Sequence, residues 1–200
     1  MMPDLARIYD RAFFAEHGAT NEPYIATARW IVGDLSRRFA PARVIDLGCG
    51  CGIFAHAFRE RGAEVVAVDG ALAPPEFAFP GPVEARDLTV PFANPWGRFD
   101  LALCLEVAEH IPEELSDAFL ANIVQFSDRL IFSAARPYQG GTHHVNERPK
   151  RYWWARLAAH GFAYDRKRTG EFSERFLADR PPFMWMCQSI SVFERVTSRG

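Results

Sequence analysis

Apolar residues three and four apart mark two amphipathic helices early in the chain, over residues 4–17 and 22–39. Ile25, Ala28, Ile31, Val32 and Leu35 form the apolar face of the second, and Pro41 stops it. The period then shifts. "RVIDL" (43–47) is a short β-branched run, a glycine-rich turn follows, and "IFAHAFRERG" (53–62) returns to helical spacing before Gly62 closes it. The alternation continues with a strand at 63–69, a short strand near 83–86, a strand at 99–105, a helix at 113–126 and a strand at 129–134. Strands that alternate with helices pair in parallel through right-handed crossovers, so the pattern predicts an open α/β sheet with helices on both faces. Beyond it lie a helix at 148–160, an extended piece at 162–167, a helical stretch at 171–179 and a last strand at 186–195. The final pair of extended segments suits an antiparallel hairpin at one edge of the sheet.

"ALAPPEFAFPGPVE" (71–84) carries too much proline for regular structure and reads as a loop. With 200 residues, 48% of them hydrophobic and 24% charged, the chain suits one domain, residues 1–200. Its expected parts are a helical cap (1–40), a ligand-binding core (42–135) and a segment on the far side of the site (136–200). A net charge of −2 supplies no broad basic surface, which argues against a nucleic-acid partner. The opening "MMPDLARIYDRAFF" is interrupted by charges, and no apolar run is long enough to span a bilayer, so no membrane partner and a cytoplasmic location are expected. Of the four cysteines, only Cys49 and Cys51 are close, and one intervening residue is too few for a zinc knuckle.

The turn "VIDLGCGCGIF" (44–54) is the informative stretch. A glycine turn after the first strand of such a sheet is a ligand site by position, because ligands bind beyond the carboxyl ends of the strands. Gly48, Gly50 and Gly52 alternate, and Ile53 stands where the dinucleotide fingerprint requires its third glycine. Asp46 at the mouth of the turn repels a pyrophosphate and attracts a cation. Asp69, at the end of the second strand, is placed to accept two ribose hydroxyls. A cationic group and a ribose together describe S-adenosylmethionine. Capping of the following amides is the structural alternative for Asp46.

"VIDLGCGCG", "VVAVDG" and "FDLALCLEVAEHIP", in this order, resemble the class I S-adenosylmethionine-dependent methyltransferases over residues 42–135. The resemblance implies a Rossmann-like, mostly parallel seven-stranded sheet. It places Asp46 on the methionine amino group, Gly48 and Gly50 against the ligand, and Asp69 with Gly70 on the ribose. Asp87 and Leu88 fall at the adenine, and Leu105 and Glu106 at the methionine portion, with S-adenosylhomocysteine as product. "QGGTHHVNE" and the following "YW" resemble a bacterial and viral subset of the family that looks like the product of polysaccharide or natural-product gene sets and leaves the acceptor largely undefined.

A sugar hydroxyl needs a general base to accept a methyl group, whereas an amine need only be neutral. His143 or His144, in a glycine-hinged loop after the fifth strand, suits that task, and Asn146 is placed to orient a polar acceptor. His110 either faces the reacting centre or bonds within its own loop. Tyr152 and Trp153 either belong to the core or stack on a sugar. His143, His144, Asn146, Glu147 and Glu109 match no metal-ligand spacing, so no metal is expected. The expected activity is methyl transfer to a hydroxyl of a sugar or natural-product intermediate. The rivals are nitrogen or carboxylate methylation, a binding subunit that has lost catalysis, and a dinucleotide oxidoreductase. Oligomeric state is not encoded in any motif.

Overall fold

Strand pairing sets the architecture of the computed structural model, which describes residues 5–196. Its strands are β1 (Arg43–Leu47), β2 (Glu64–Asp69), β3 (Glu84–Ala85), β4 (Leu101–Leu105), β5 (Arg129–Ser133), β6 (Phe162–Tyr164) and β7 (Ser191–Arg195). They form one seven-stranded sheet in the order β3-β2-β1-β4-β5-β7-β6. The first five run parallel, and β7 lies between β5 and β6, antiparallel to both. In the centre, Val44 stands opposite Val65 on one side and Leu101 on the other. This is the Rossmann-like sheet expected, with the hairpin turned so that β6 is the edge.

Alternation along each strand divides the core in two. Val44, Leu101, Leu103, Ile131 and Val192 face α3 (Glu22–Phe39), α4 (Ile53–Arg59), α7 (Arg166–Asp179) and α8 (Met184–Gln188). Ile45, Leu47, Ala102, Cys104, Leu130, Phe132 and Phe193 face α5 (Ser116–Ile123) and α6 (Lys150–Ala159). With apolar side chains on both faces, the central strands read as nearly continuous hydrophobic runs. Trp153 is buried against Phe132, ring centroids 5.7 Å apart, so it belongs to the core and does not stack on a ligand.

Several boundaries differ from the sequence pattern, each for a local reason. The first predicted helix is broken into α1 (Leu5–Ile8) and α2 (Arg11–Glu16), because Asp10 turns its carboxylate onto the amides of Ala12 and Phe13. Asp4, where that helix was expected to begin, lies outside the described residues. The helix expected at 171–179 begins at Arg166, capped by Asp165 on the Arg168 amide at 2.9 Å, which shortens the extended piece before it. The expected strand 186–195 is also shorter. Met184–Gln188 is helical and buries Met186 and Cys187, and pairing begins only at Ser191. The helix expected at 113–126 starts as a 3₁₀ turn (Glu113–Leu115) and is α-helical from Ser116 to Ile123.

Phe193 is fully buried, 5.9 Å from the Tyr164 ring and 6.3 Å from that of Phe132. Phe193→Ala is expected to cost about 3–5 kcal/mol in urea unfolding, with the m-value unchanged.

Candidate active site

The strand order reverses between β1 and β4, and the glycine turn opens at that point. Two adjoining cavities lie there, of about 470 Å³ and about 170 Å³. Gly48, Gly50, Glu106 and His110 line both. Phe13 from α2 also lines both, and Tyr9, on the break before α2, lines the smaller. Gly50 has φ +53°, and a Cβ added there would meet no protein atom within 4 Å. The backbone conformation favours glycine, and the space beside it is left for a ligand.

Asp46 points to the α4 side of β1, where Oδ2 accepts from the Ala55 amide at 3.1 Å. The N-cap of that helix, Gly52, has no side chain to do this, so the strand supplies the cap. The structural alternative for Asp46 is therefore present alongside its place in the cavity wall. Burial first, and then the charge of Asp69, push its carboxyl up to about 7. Asp69 Oδ2 accepts from Gly50 N and Oδ1 from Ala71 N, each at 2.7 Å, which ties the end of β2 to the turn. Burial raises its pKa as well. Asp69, Gly70, Asp87 and Leu88 line the smaller cavity. Asp87 spends Oδ1 on the amide and hydroxyl of Thr89, which fixes its rotamer.

Glu106 follows β4 with φ +54°, a conformation uncommon for a non-glycine residue. Its carboxylate accepts from Ser189 Oγ at 2.7 Å and Gln139 Nε2 at 3.0 Å. Glu109, in the 3₁₀ turn Ala108–His110, is fully buried, and neither carboxyl oxygen has a hydrogen bond of good geometry. Burial, reinforced by Glu106, raises its pKa well above the carboxylate range. Burial, and then His144, push the His110 imidazole down to about 4. Among the described residues, no lysine or arginine forms an ion pair with Asp46, Asp69, Glu106 or Glu109.

The loop after β5 folds back onto this turn. Val145 N and Asn146 N both donate to Glu109 O at 2.9 Å. The two adjacent histidines part: His144 lines the larger cavity and His143 the smaller. Asn146 is buried at the base of the loop, donating to Ile111 O and Ser116 Oγ, and so is a loop anchor rather than an acceptor contact. The structure adds residues that the sequence did not single out. Ser189 and Gln139 orient Glu106, and Trp185 and Thr142 stand in the wall of the larger cavity. Ser189 lay inside a segment read as a strand, so no signal marked it. The four cysteines are buried and unpaired, and burial holds Cys51 and Cys187 up near 12, which leaves them as protonated packing groups.

Comparison with known proteins agrees with this geometry. The family model described as "Methyltransferase domain" matches residues 25–171, well over half of the chain. The chain belongs to this family, and its fold is that of solved methyltransferases bound to S-adenosylmethionine or S-adenosylhomocysteine. A ubiquinone biosynthesis O-methyltransferase of Azotobacter vinelandii is 34% identical over 131 residues, 61% of this chain and 52% of that protein. The chain thus spans about half the length of the curated relatives it matches. Among solved structures, the 1,6-didemethyltoxoflavin N1-methyltransferase of Burkholderia thailandensis, with bound acceptor and S-adenosylhomocysteine, superposes with a TM-score of 0.62 at 19% identity, covering 96% of this chain and 89% of that one. An amino pentose methyltransferase from Micromonospora echinaspora, bound to S-adenosylmethionine, gives 0.60 at 16% identity, covering 84% and 92%. No helix among the described residues is long and apolar enough to cross a membrane.

The Asp46 carboxyl ionises near 3.8 when unfolded and near 7 when folded, so between those values the folded state holds the extra proton. Its contribution is therefore a loss of stability as pH rises from about 4 to about 7, in the absence of ligand. Asp46→Asn keeps an oxygen for the Ala55 amide and removes the buried charge. Urea unfolding at pH 7.5 should find this variant more stable than wild type by about 2 kcal/mol, with the gain vanishing near pH 4.

Proposed function

We propose that the chain methylates a hydroxyl oxygen of a small-molecule acceptor, a sugar or related biosynthetic intermediate. The observation that carries this reading is the larger cavity, in which the glycine turn and Asp46 share one space with Glu109, His110 and His144. A nucleophile held there sits beside the cofactor crevice and within reach of groups able to receive its proton. The curated relatives named as O-methyltransferases support oxygen as the acceptor atom, and the amino pentose methyltransferase is an example of this fold acting on a sugar. The net charge of −2 supports a small acceptor over a nucleic acid.

The residues fit the cofactor. The open side of Gly50 leaves room for it, and the buried Asp46 and Glu109, without ion pairs among the described residues, suit its positive charges. Asp46 holds the amino group of the methionine portion, beside Gly48, Leu105 and Glu106. Asp69 and Gly70 take the ribose hydroxyls, and Asp87, through its unused Oδ2, takes the adenine amino group beside Leu88. The bound cofactor supplies a methyl group on a positively charged sulfur. Phe13 lines both cavities, and Tyr9 adds an aromatic ring to the wall of the smaller. The acceptor oxygen gives up its proton at the Glu109, His110 and His144 cluster and forms the new bond to carbon. The electrons of the broken carbon–sulfur bond remain on sulfur.

Binding a cation requires Asp46 ionised, so below pH 7 cofactor binding should release a proton, and affinity should fall by up to about tenfold per unit as pH drops. Calorimetry at pH 6 in two buffers of different ionisation enthalpy checks this, and Asp46→Asn should abolish the release. The acceptor class is tested by incubating the full chain and labelled S-adenosylmethionine with nucleotide sugars, dihydroxybenzenes, amines and a short RNA. Label on a sugar or phenol oxygen is expected. Label only on amines, carboxylates or RNA, or none despite measured cofactor binding, overturns the reading.

A further inference from the structure

We propose that Glu109, His110 and His144 form a binding site for a first-row divalent transition-metal cation at the acceptor end of the larger cavity. The inference rests on the reading of that cavity as the place where an acceptor hydroxyl is activated. One donor atom from each of the three residues lies within 4.8 Å of the other two. A cation with ligands at about 2.1 Å holds donors up to about 4.2 Å apart, so small side-chain adjustments close the set.

Three independent features of the cluster point to a cation. First, Glu109 is fully buried, and neither carboxyl oxygen has a hydrogen bond of good geometry. Leaving a buried carboxyl unsatisfied is costly, and a metal ligand is one of the few roles that explains it. Second, the protein engages one nitrogen of each imidazole and leaves the other available. His110 Nδ1 lies 3.3 Å from the carbonyl of His143, and His144 Nδ1 lies 3.0 Å from Glu147 Oε1. Carbonyl and carboxylate partners of this kind fix the tautomer and orientation of metal-binding histidines. The rings stand nearly perpendicular, with centroids 4.9 Å apart.

Third, the backbone is strained to keep the set together. His143 has φ +56°, the conformation in which its carbonyl meets His110. Gly141 has φ +149°, and a Cβ there would lie 2.4 Å from the His144 ring. Glu147 anchors the arrangement by also accepting from Tyr138 N at 2.8 Å and Gly140 N at 2.7 Å. It is a positioning residue for His144.

Two imidazoles and one carboxylate select zinc, cobalt, manganese or iron over magnesium and calcium, which favour oxygen donors throughout. Three protein ligands leave positions open, and the acceptor hydroxyl fits there. With the three side chains engaged as ligands, the cation takes over their part in deprotonation: it lowers the hydroxyl's pKa, the proton passes to water instead of to the cluster, and the oxygen attacks the methyl carbon while the carbon–sulfur electron pair stays on sulfur.

The test titrates CoCl2 and ZnCl2 into the chelator-stripped full chain, reading cobalt ligand-field absorption and calorimetry, with S-adenosylhomocysteine titrated into the same sample. One metal ion per chain is expected. Glu109→Gln and His144→Ala should each weaken it at least about 100-fold and Glu147→Gln about tenfold, with His160→Ala as the control for surface histidines and unaffected. S-adenosylhomocysteine binding by each variant verifies that it is folded. Absence of cobalt binding in wild type that binds S-adenosylhomocysteine overturns the metal site and leaves the methyltransferase reading standing. Binding unchanged in Glu109→Gln and His144→Ala, or binding by MgCl2 in preference to both probes, overturns it equally. Failure to bind S-adenosylhomocysteine while binding cobalt instead counts against the proposed cofactor site.

Discussion

Four carboxylates brought together with no arginine or lysine paired to them among the described residues are the constraint from which the rest of this structure follows. Asp46, Asp69, Glu106 and Glu109 come from the ends of β1, β2 and β4 and from the turn after β4, so the sheet itself forces them into one crevice. Elsewhere the chain pairs such groups freely. The buried Asp34, for example, is held by Arg37 and Arg38. At the crevice, backbone amides and neutral side chains serve instead: Ala55 for Asp46, Gly50 and Ala71 for Asp69, Ser189 and Gln139 for Glu106. Amides orient a carboxylate without neutralising it, which leaves the charge for a ligand.

Holding like charges together costs stability, and the cost is visible in backbone and protonation state alike. Glu106 and His143 both adopt left-handed conformations, and the Asp46 carboxyl is pushed up to about 7. These unfavourable features persist because the surrounding structure overdetermines them: each lies between strands or helices packed on fully apolar faces. The loop after β5 is held in the same way, with its amides on the Glu109 carbonyl and its glutamate on three donors. A loop fastened at so many points presents a preformed surface to its ligand.

The legible part of the sequence was the part governed by period. Two-residue alternation with apolar side chains on both faces, and the switch to helical spacing after each strand, mark β1, α4, β2, β4 and β5 close to where they lie. Boundaries set by one side chain were less visible. Nothing in the apolar pattern announces that Asp10 breaks a helix, that Asp165 starts one, or that Met184–Gln188 coils before β7 pairs. The site divides similarly. Asp46, the glycines and Asp69 are close in sequence to the strands that aim them, so position on the fold predicts where they meet. Glu109, His110 and His144 come together only through the return of a loop more than thirty residues away, and their spacing follows no helical or turn period. The histidines were recognisable singly, and the structure places them in different cavities, His144 in the larger and His143 in the smaller.

The two halves of the crevice draw on different parts of the chain, and this bears on how one fold serves many acceptors. The turn, Asp69 and Asp87 belong to β1–β3 and their loops, a region whose geometry is fixed by the central parallel pairs. The opposite wall is assembled from Glu16 and His17 at the end of α2, Thr142 and His144 in the loop after β5, and Trp185 in α8. None of these elements pairs in the parallel centre of the sheet, so their side chains can change without disturbing the strands behind the glycine turn. On the proposed assignment, affinity for the cofactor and choice of acceptor are thus physically separable. The exception is Glu106, which faces both cavities and is oriented by Gln139 from the loop and Ser189 after α8. Through that one carboxylate, a shift of the opposite wall reaches the glycine-turn side of the crevice.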